Sequence, residues 1–164
     1  MRILVTGATS LLGASTARRL ADAGHEIRTF QRRPSGLGYA EVLGSVEDNA
    51  AVRSAMNNID AVVHLAALVG VTGQWEAYYR VNVVGTENVL AAARTHGVER
   101  IVHVSSPSVA HAGASIVGAE AEPAEPERAR GNYARSKALA EIVALSSEID
   151  ASVVAIRPHL VWGP

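Results

Sequence analysis

The sequence predicts an α/β fold, a doubly wound parallel sheet with helices on both faces. Three observations carry this. Short apolar runs alternate with amphipathic stretches along all 164 residues, the pattern of strands joined by crossover helices. Residues 59–65 (IDAVVHL) are almost continuously apolar, as in a strand covered on both sides. Residues 5–13 (VTGATSLLG) set a glycine-cornered turn between an apolar run and an amphipathic one, which reads as strand, turn and helix start in succession.

Taken in order, Ile3, Leu4 and Val5 form the first strand. The turn reads G-x-x-S-x-x-G from Gly7 to Gly13, with Ser10 in the middle. Unpaired backbone N–H groups and the positive end of a helix dipole meet at such a turn, an arrangement that suits a phosphate. Gly7 supplies the tight turn, Gly13 the close packing of helix on strand, and Thr9, Ser10, Leu11 and Leu12 the rest of the candidate cradle. A turn that merely reverses the chain is the alternative. The helix over 12–23 stops at Ala23-Gly24. A second strand over 26–30 leads into Gln31-Arg32-Arg33-Pro34. In a dinucleotide fold an acid about 20 residues past the turn holds the ribose 2′-hydroxyl, and an arginine accommodates a 2′-phosphate. With Gln31 and Arg32 here and no acid, NADP(H) is favoured over NAD(H); a solvated loop is the plainer reading.

A loop over 35–39 precedes a third strand over 40–43 and a helix over 48–57 opened by Asp48. After the buried strand over 59–65, Ala66 and Ala67 carry no bulk, so Leu65, Ala66 and Ala67 let something flat approach the backbone. His64 reads as a packed, hydrogen-bonded histidine. Residues 75–96 predict one long helix, with Tyr79, Val83, Val89 and Leu90 on one side and Gly97 at its end. Asn82 lies inside it, where a buried amide needs several partners. The fifth strand covers 100–105, an exposed loop 113–131, a helix 132–147 and a sixth strand 151–157, ending at Pro158.

Composition narrows the function classes. A net charge of −1 offers no basic face for nucleic acid, and the absence of cysteine excludes disulfide and thiolate chemistry. No apolar run approaches the roughly 20 residues of a membrane span, and no cluster has metal spacing. No signal peptide opens the sequence, and a cytoplasmic location is expected. Of 15 basic residues, only Lys137 is a lysine.

That lysine closes Tyr133-Ala-Arg-Ser-Lys137, which sets a phenol and an amine at i and i+4 on one helix face. The fifth strand ends at Ser105-Ser106, and carboxyl ends of parallel strands border one crevice. A tyrosine is too weak an acid and too slow a base unless its phenolate is favoured, and an ammonium four residues on does that. Ser106 can hydrogen-bond a substrate oxygen and hold it against the phenol.

TGATSLLG, HLAA, NVVGT, SSPSVAH, YARSK and RPHLVWGP follow one another along the whole chain. In this order they resemble the extended short-chain dehydrogenase/reductases, the NAD-dependent epimerase/dehydratase family. The resemblance implies a Rossmann-type sheet of order 3-2-1-4-5-6 with Ser106, Tyr133 and Lys137 as the triad. It implies that Lys137 also holds the nicotinamide ribose, and that Asn82, Val104, Arg157 and Pro158 join the cofactor site. SSPSV and RPHLVWGP look most like the branch of the 3β-hydroxysteroid dehydrogenases and 2-alkyl-3-oxoalkanoate reductases. That branch implies an oxidoreductase on a secondary alcohol or ketone of an apolar, steroid-like or long-chain substrate. A nucleotide-sugar epimerase or dehydratase using the same triad, or a non-catalytic dinucleotide sensor or scaffold, are the alternatives; a homodimer is a further expectation. Three features depart from the family pattern. Ser10 replaces the middle glycine, Gly44-Ser45 stands where Gly-Asp is usual, and the sequence stops at Pro164. By the resemblance, the 164 residues are the dinucleotide-binding N-terminal part of a longer chain, the C-terminal substrate domain being missing.

Overall fold

The computed structural model describes residues 1–110, 122–159 and 161–162. The elements run β1 (Arg2–Thr6), α1 (Leu11–Asp22), β2 (Glu26–Gln31), β3 (Ala40–Leu43), α2 (Asn49–Ala55) and β4 (Ala61–His64). Then come α3 (Trp75–Tyr78), a π-helical turn (Tyr79–Val84), α4 (Gly85–His96), β5 (Arg100–Val104), α5 (Asn132–Leu145) and β6 (Ser152–Ile156). The six strands make one sheet of order β3-β2-β1-β4-β5-β6, all parallel. This is the Rossmann-type order expected from the sequence.

Alternation along β1 explains the two layers. Ile3 and Val5 pack with Ile27, Ala61 and Ala17 of α1 on one face. Leu4 points the other way, into a larger cluster with Phe30, Val52, Met56, Val62, Val89 and Ile101, under α2 and α4. Helix ends follow local chemistry. Asp48 caps α2 by accepting from the amides of Ala50 and Ala51 at 2.9 and 3.2 Å. Gly97 ends α4 in the left-handed region at φ 66°.

Two elements differ from expectation. The strand over 59–65 pairs only from Ala61 to His64, because the amides of Leu65 and Ala66 donate to the Thr6 hydroxyl at 3.1 and 3.0 Å. The chain therefore leaves the sheet there. The long helix over 75–96 contains the π turn, centred on Asn82. The loop read over 113–131 lies partly outside the described residues, as do Leu160, Gly163 and Pro164 of the last motif.

Candidate active site

The carboxyl ends of β1, β2, β4 and β5 open onto a cavity of about 560 Å³. Its floor is the turn between β1 and α1. Gly7 has φ 75°, and a Cβ there would stand 2.9 Å from the Ala66 nitrogen. A Cβ on Gly13 would collide with the Gly7 carbonyl. Ser10 caps α1: its hydroxyl accepts from the Gly13 amide at 3.0 Å and donates to the Gly7 carbonyl at 2.9 Å. The serine that departs from the family glycine thus stitches the turn together. Leu11 and Leu12, in the first turn of α1, line the cavity, and first-turn amides have no intrahelical acceptor.

The opposite wall is Leu65, Ala66 and Ala67, held from behind by a directed chain of hydrogen bonds. The Thr6 hydroxyl, accepting from Leu65 and Ala66, must donate to His64 Nδ1 at 2.8 Å. His64 therefore carries its proton on Nε2 and donates to Thr86 Oγ1 at 3.1 Å, which donates to the Asn82 carbonyl at 2.7 Å. Burial, aided by the Lys137 charge, pushes His64 down to about 3, so it stays neutral. Asn82 is buried, as its sequence context required. Its Oδ1 accepts from the Leu68 amide at 2.7 Å; its Nδ2 donates to the Leu68 carbonyl at 3.1 Å and to Ser136 at 2.8 Å.

Ser106, Tyr133 and Lys137 all face the cavity. The Lys137 ammonium, 3% exposed, donates to the Val104 carbonyl at 2.7 Å. Burial pushes it down to about 8, opposed by the Glu141 carboxylate. Burial raises the Tyr133 phenol, and the Ser106 hydroxyl only partly offsets this. The Ser106 hydroxyl shares a hydrogen with Ser108 Oγ at 2.8 Å.

Of the residues singled out from sequence, Gly7, Thr9, Ser10, Leu11, Leu12, Gln31, Arg32, Leu65, Ala66, Ala67, Val104 and Pro158 line the cavity with the triad. Gly13, Asn82 and Arg157 do not. Gly13 lies beneath the turn, Asn82 behind the wall, and the Arg157 guanidinium pairs with Glu141 at 3.0 and 2.5 Å. Two acids escaped the sequence reading. Glu41 reaches Gln31 from the neighbouring strand, Oε2 accepting from Gln31 Nε2 at 2.7 Å; the β2–β3 register alone brings them together. Glu141 stands four residues after Lys137, and the same i, i+4 rule that pairs Tyr133 with Lys137 could have found it.

The donor set fits a dinucleotide. Free first-turn amides face the cavity beside a glycine cradle that a Cβ would fill. Gln31, on the wall, keeps a buried Oε1 with no hydrogen-bond partner among the described residues. Glycine turn, Ala66-Ala67 wall and a tyrosine–lysine helix on this sheet make the frame of a Rossmann-type dinucleotide-binding domain. The chain belongs to the NAD dependent epimerase/dehydratase family, which residues 3–164 match. It is 40% identical to a 2-alkyl-3-oxoalkanoate reductase of Stenotrophomonas maltophilia, covering 100% of this chain and 52% of that protein. It is 36% identical to a 3 beta-hydroxysteroid dehydrogenase/Delta 5-->4-isomerase of Mycobacterium tuberculosis, over 99% of this chain and 47% of that one. Among solved structures, a short-chain dehydrogenase/reductase superfamily protein from Agrobacterium tumefaciens with bound NAD superposes with a TM-score of 0.85 at 32% identity, covering 96% of this chain and 48% of that one. MoeE5 in complex with UDP-glucose and NAD gives 0.84 at 33%, over 96% of this chain and 54% of that one. The chain thus spans about half the length of these relatives. No helix among the described residues is long and apolar enough to cross a membrane.

Proposed function

We propose that these 164 residues are the cofactor-binding part of an oxidoreductase that interconverts a secondary alcohol and a ketone at a 3-hydroxy/3-oxo position of an apolar substrate. The observation that carries this is the Tyr133 phenol beside Ser106 on the wall of a cavity that also holds the glycine turn. Leu68, Val69, Val81 and Val161 on the same cavity support an apolar substrate. A bound nicotinamide supplies or accepts the hydride. Ser106 donates a hydrogen bond to the substrate oxygen, and Tyr133 gives that oxygen a proton in reduction or takes it in oxidation. Burial, which keeps the phenol protonated, suits the reducing direction at neutral pH. Lys137 holds a positive charge beneath the pair, and the Ala66-Ala67 wall leaves room for a flat ring.

For the cofactor we infer NADP(H), since Arg32 and Arg33 line the cavity and a guanidinium suits a 2′-phosphate. One observation favours NAD(H): the unpartnered Gln31 Oε1 is an acceptor matched to a ribose hydroxyl, with the Glu41 carboxylate behind it.

The experiment uses the full-length protein. Fluorescence titration with NADPH and NADH is followed by assays with a 3-oxosteroid, a 2-alkyl-3-oxoalkanoate and UDP-glucose. The expected result is about tenfold tighter NADPH, ketone-dependent oxidation of it, and no conversion of the sugar nucleotide. Tyr133→Phe should keep cofactor binding and lose more than tenfold in kcat, about 1.4 kcal/mol of barrier. A Tyr133→Phe protein above a tenth of the unaltered rate overturns the assignment. Conversion of UDP-glucose with tightly held NAD establishes the epimerase reading instead.

A further inference from the structure

Behind the cavity, α5 carries a second group on the face that holds Tyr133 and Lys137. Glu141, one helical turn beyond Lys137, is only 2% exposed. A carboxylate is almost never so buried unless paired. Its partner is the Arg157 guanidinium, which follows β6 and grips both oxygens, Nε to Oε2 at 3.0 Å and Nη2 to Oε1 at 2.5 Å. Arg157 also donates to the Glu122 carbonyl at 2.8 Å. Burial pushes the Glu141 carboxyl up, but the Arg157 guanidinium outweighs it and holds it below the usual range. It is therefore ionised at neutral pH.

We propose that Glu141, itself held in place by Arg157, is the positioning residue that keeps the Lys137 amine cationic beneath Tyr133. The inference rests on the reading of Tyr133 and Lys137 as the proton-handling pair. The need is visible in the surroundings of the amine. Among the described residues the Lys137 amine donates to one acceptor, the Val104 carbonyl, which is neutral. The titratable groups facing it are Tyr133 and Glu141 on α5, His64 at the end of β4 and His103 on β5, with Arg157 beyond Glu141. The two histidines are neutral, and the phenol is held protonated. Glu141 is thus the one anion among them. A buried ammonium without a counter-charge releases its proton. Arg157 has a second part in this: the next residues, Pro158 and His159, line the cavity. The ion pair therefore joins the wall after β6 to the helix that carries the triad.

The test follows the Lys137 amine itself. The full-length protein is grown with lysine carbon-labelled at Cε, and the Lys137 resonance is identified by its loss in Lys137→Gln. Its titration midpoint is then compared in unaltered protein, Glu141→Gln and Glu141→Asp, with thermal unfolding recorded alongside. Glu141→Gln should lower the midpoint by about one pH unit, while Glu141→Asp, which keeps the charge, stays within a few tenths of the unaltered value. Where the single variant fails to fold, Glu141→Leu/Arg157→Leu removes both charges without stranding either and should show a downward shift smaller than that expected of Glu141→Gln, because loss of the Arg157 cation offsets part of the lost anion. A midpoint unmoved in Glu141→Gln or in the double variant, whatever the loss of melting temperature, reduces the pair to a structural tie and overturns the proposal. A midpoint that falls equally in Glu141→Asp overturns it as well. The titration needs no turnover, so its outcome is separate from that of the Tyr133→Phe assay.

Discussion

His64 and His103 sit side by side on neighbouring strands, ring centroids 5.6 Å apart, and both are buried. Burial, with the Lys137 charge, holds them down to about 3 and about 2. Unfolding returns both to about 6.5, so between these values the unfolded chain binds more protons than the folded one. Folding stability is therefore full above about pH 6.5 and is lost as pH falls below it. One unit lower, each histidine removes about 1.4 kcal/mol, while the depressed carboxyls of Asp60 and Glu141 do not yet titrate. Urea unfolding should give a free energy about 2–3 kcal/mol smaller at pH 5.5 than at 7.5. His103→Leu should halve that difference, since neither His103 nitrogen has a hydrogen-bond partner among the described residues to strand. Equal free energies at the two pH values exclude this account. The packed state of His64 was readable from a lone histidine in an apolar run. His103 as its neighbour was not, because only the β4–β5 register pairs them.

At the scale of the element, the turn between β1 and α1 depends on atoms that glycine lacks. A Cβ on Gly13 would press against the Gly7 carbonyl carbon at 2.9 Å, and neither backbone can yield without moving the start of α1. Gly13→Ala should therefore weaken dinucleotide binding at least tenfold and destabilise the fold by about 1–3 kcal/mol. Ser10→Ala removes a helix cap without a clash and should cost about 1 kcal/mol. Fluorescence titration and urea unfolding of both variants check this; binding within twofold of the unaltered protein in Gly13→Ala contradicts it. The glycines were legible because the conformation at Gly7 and the closeness at Gly13 restrict residue type. The direction of the Ser10 hydroxyl was not, since a serine in a turn can face out to a ligand or back to its own helix.

The sheet has an apolar margin at β6. Among the described residues β6 pairs only with β5, and along it Val154 and Ile156 project from the solvent-facing side, 50% and 43% exposed. Ile142 and Leu145 of α5 are exposed as well. Unpaired backbone flanked by exposed valine and isoleucine is a template for strand addition. The 164-residue chain purified by itself should associate with rising concentration in sedimentation analysis. Val154→Lys, which places a charge on that margin without touching the cavity, should shift it toward monomer. A chain that stays monomeric to high concentration without the substitution rules out association through this edge.

The sequence by itself determined the class of fold, the number of strands, both glycines of the turn and the placement of Tyr133 and Lys137 on one helix face, while the order of the strands in the sheet came from the family resemblance. Those follow from local rules: two-residue and 3.6-residue periodicity, glycine where a side chain cannot fit, and i, i+4 spacing on a helix. Tertiary structure decided what depends on residues far apart in sequence. It brought Glu41 beside Gln31, set Arg157 against Glu141 instead of the cavity, and moved Asn82 behind the wall it supports. It also set the burial that raises the Tyr133 phenol and the Ser106 hydroxyl that partly offsets it, because burial is fixed by three-dimensional surroundings rather than by spacing along a helix.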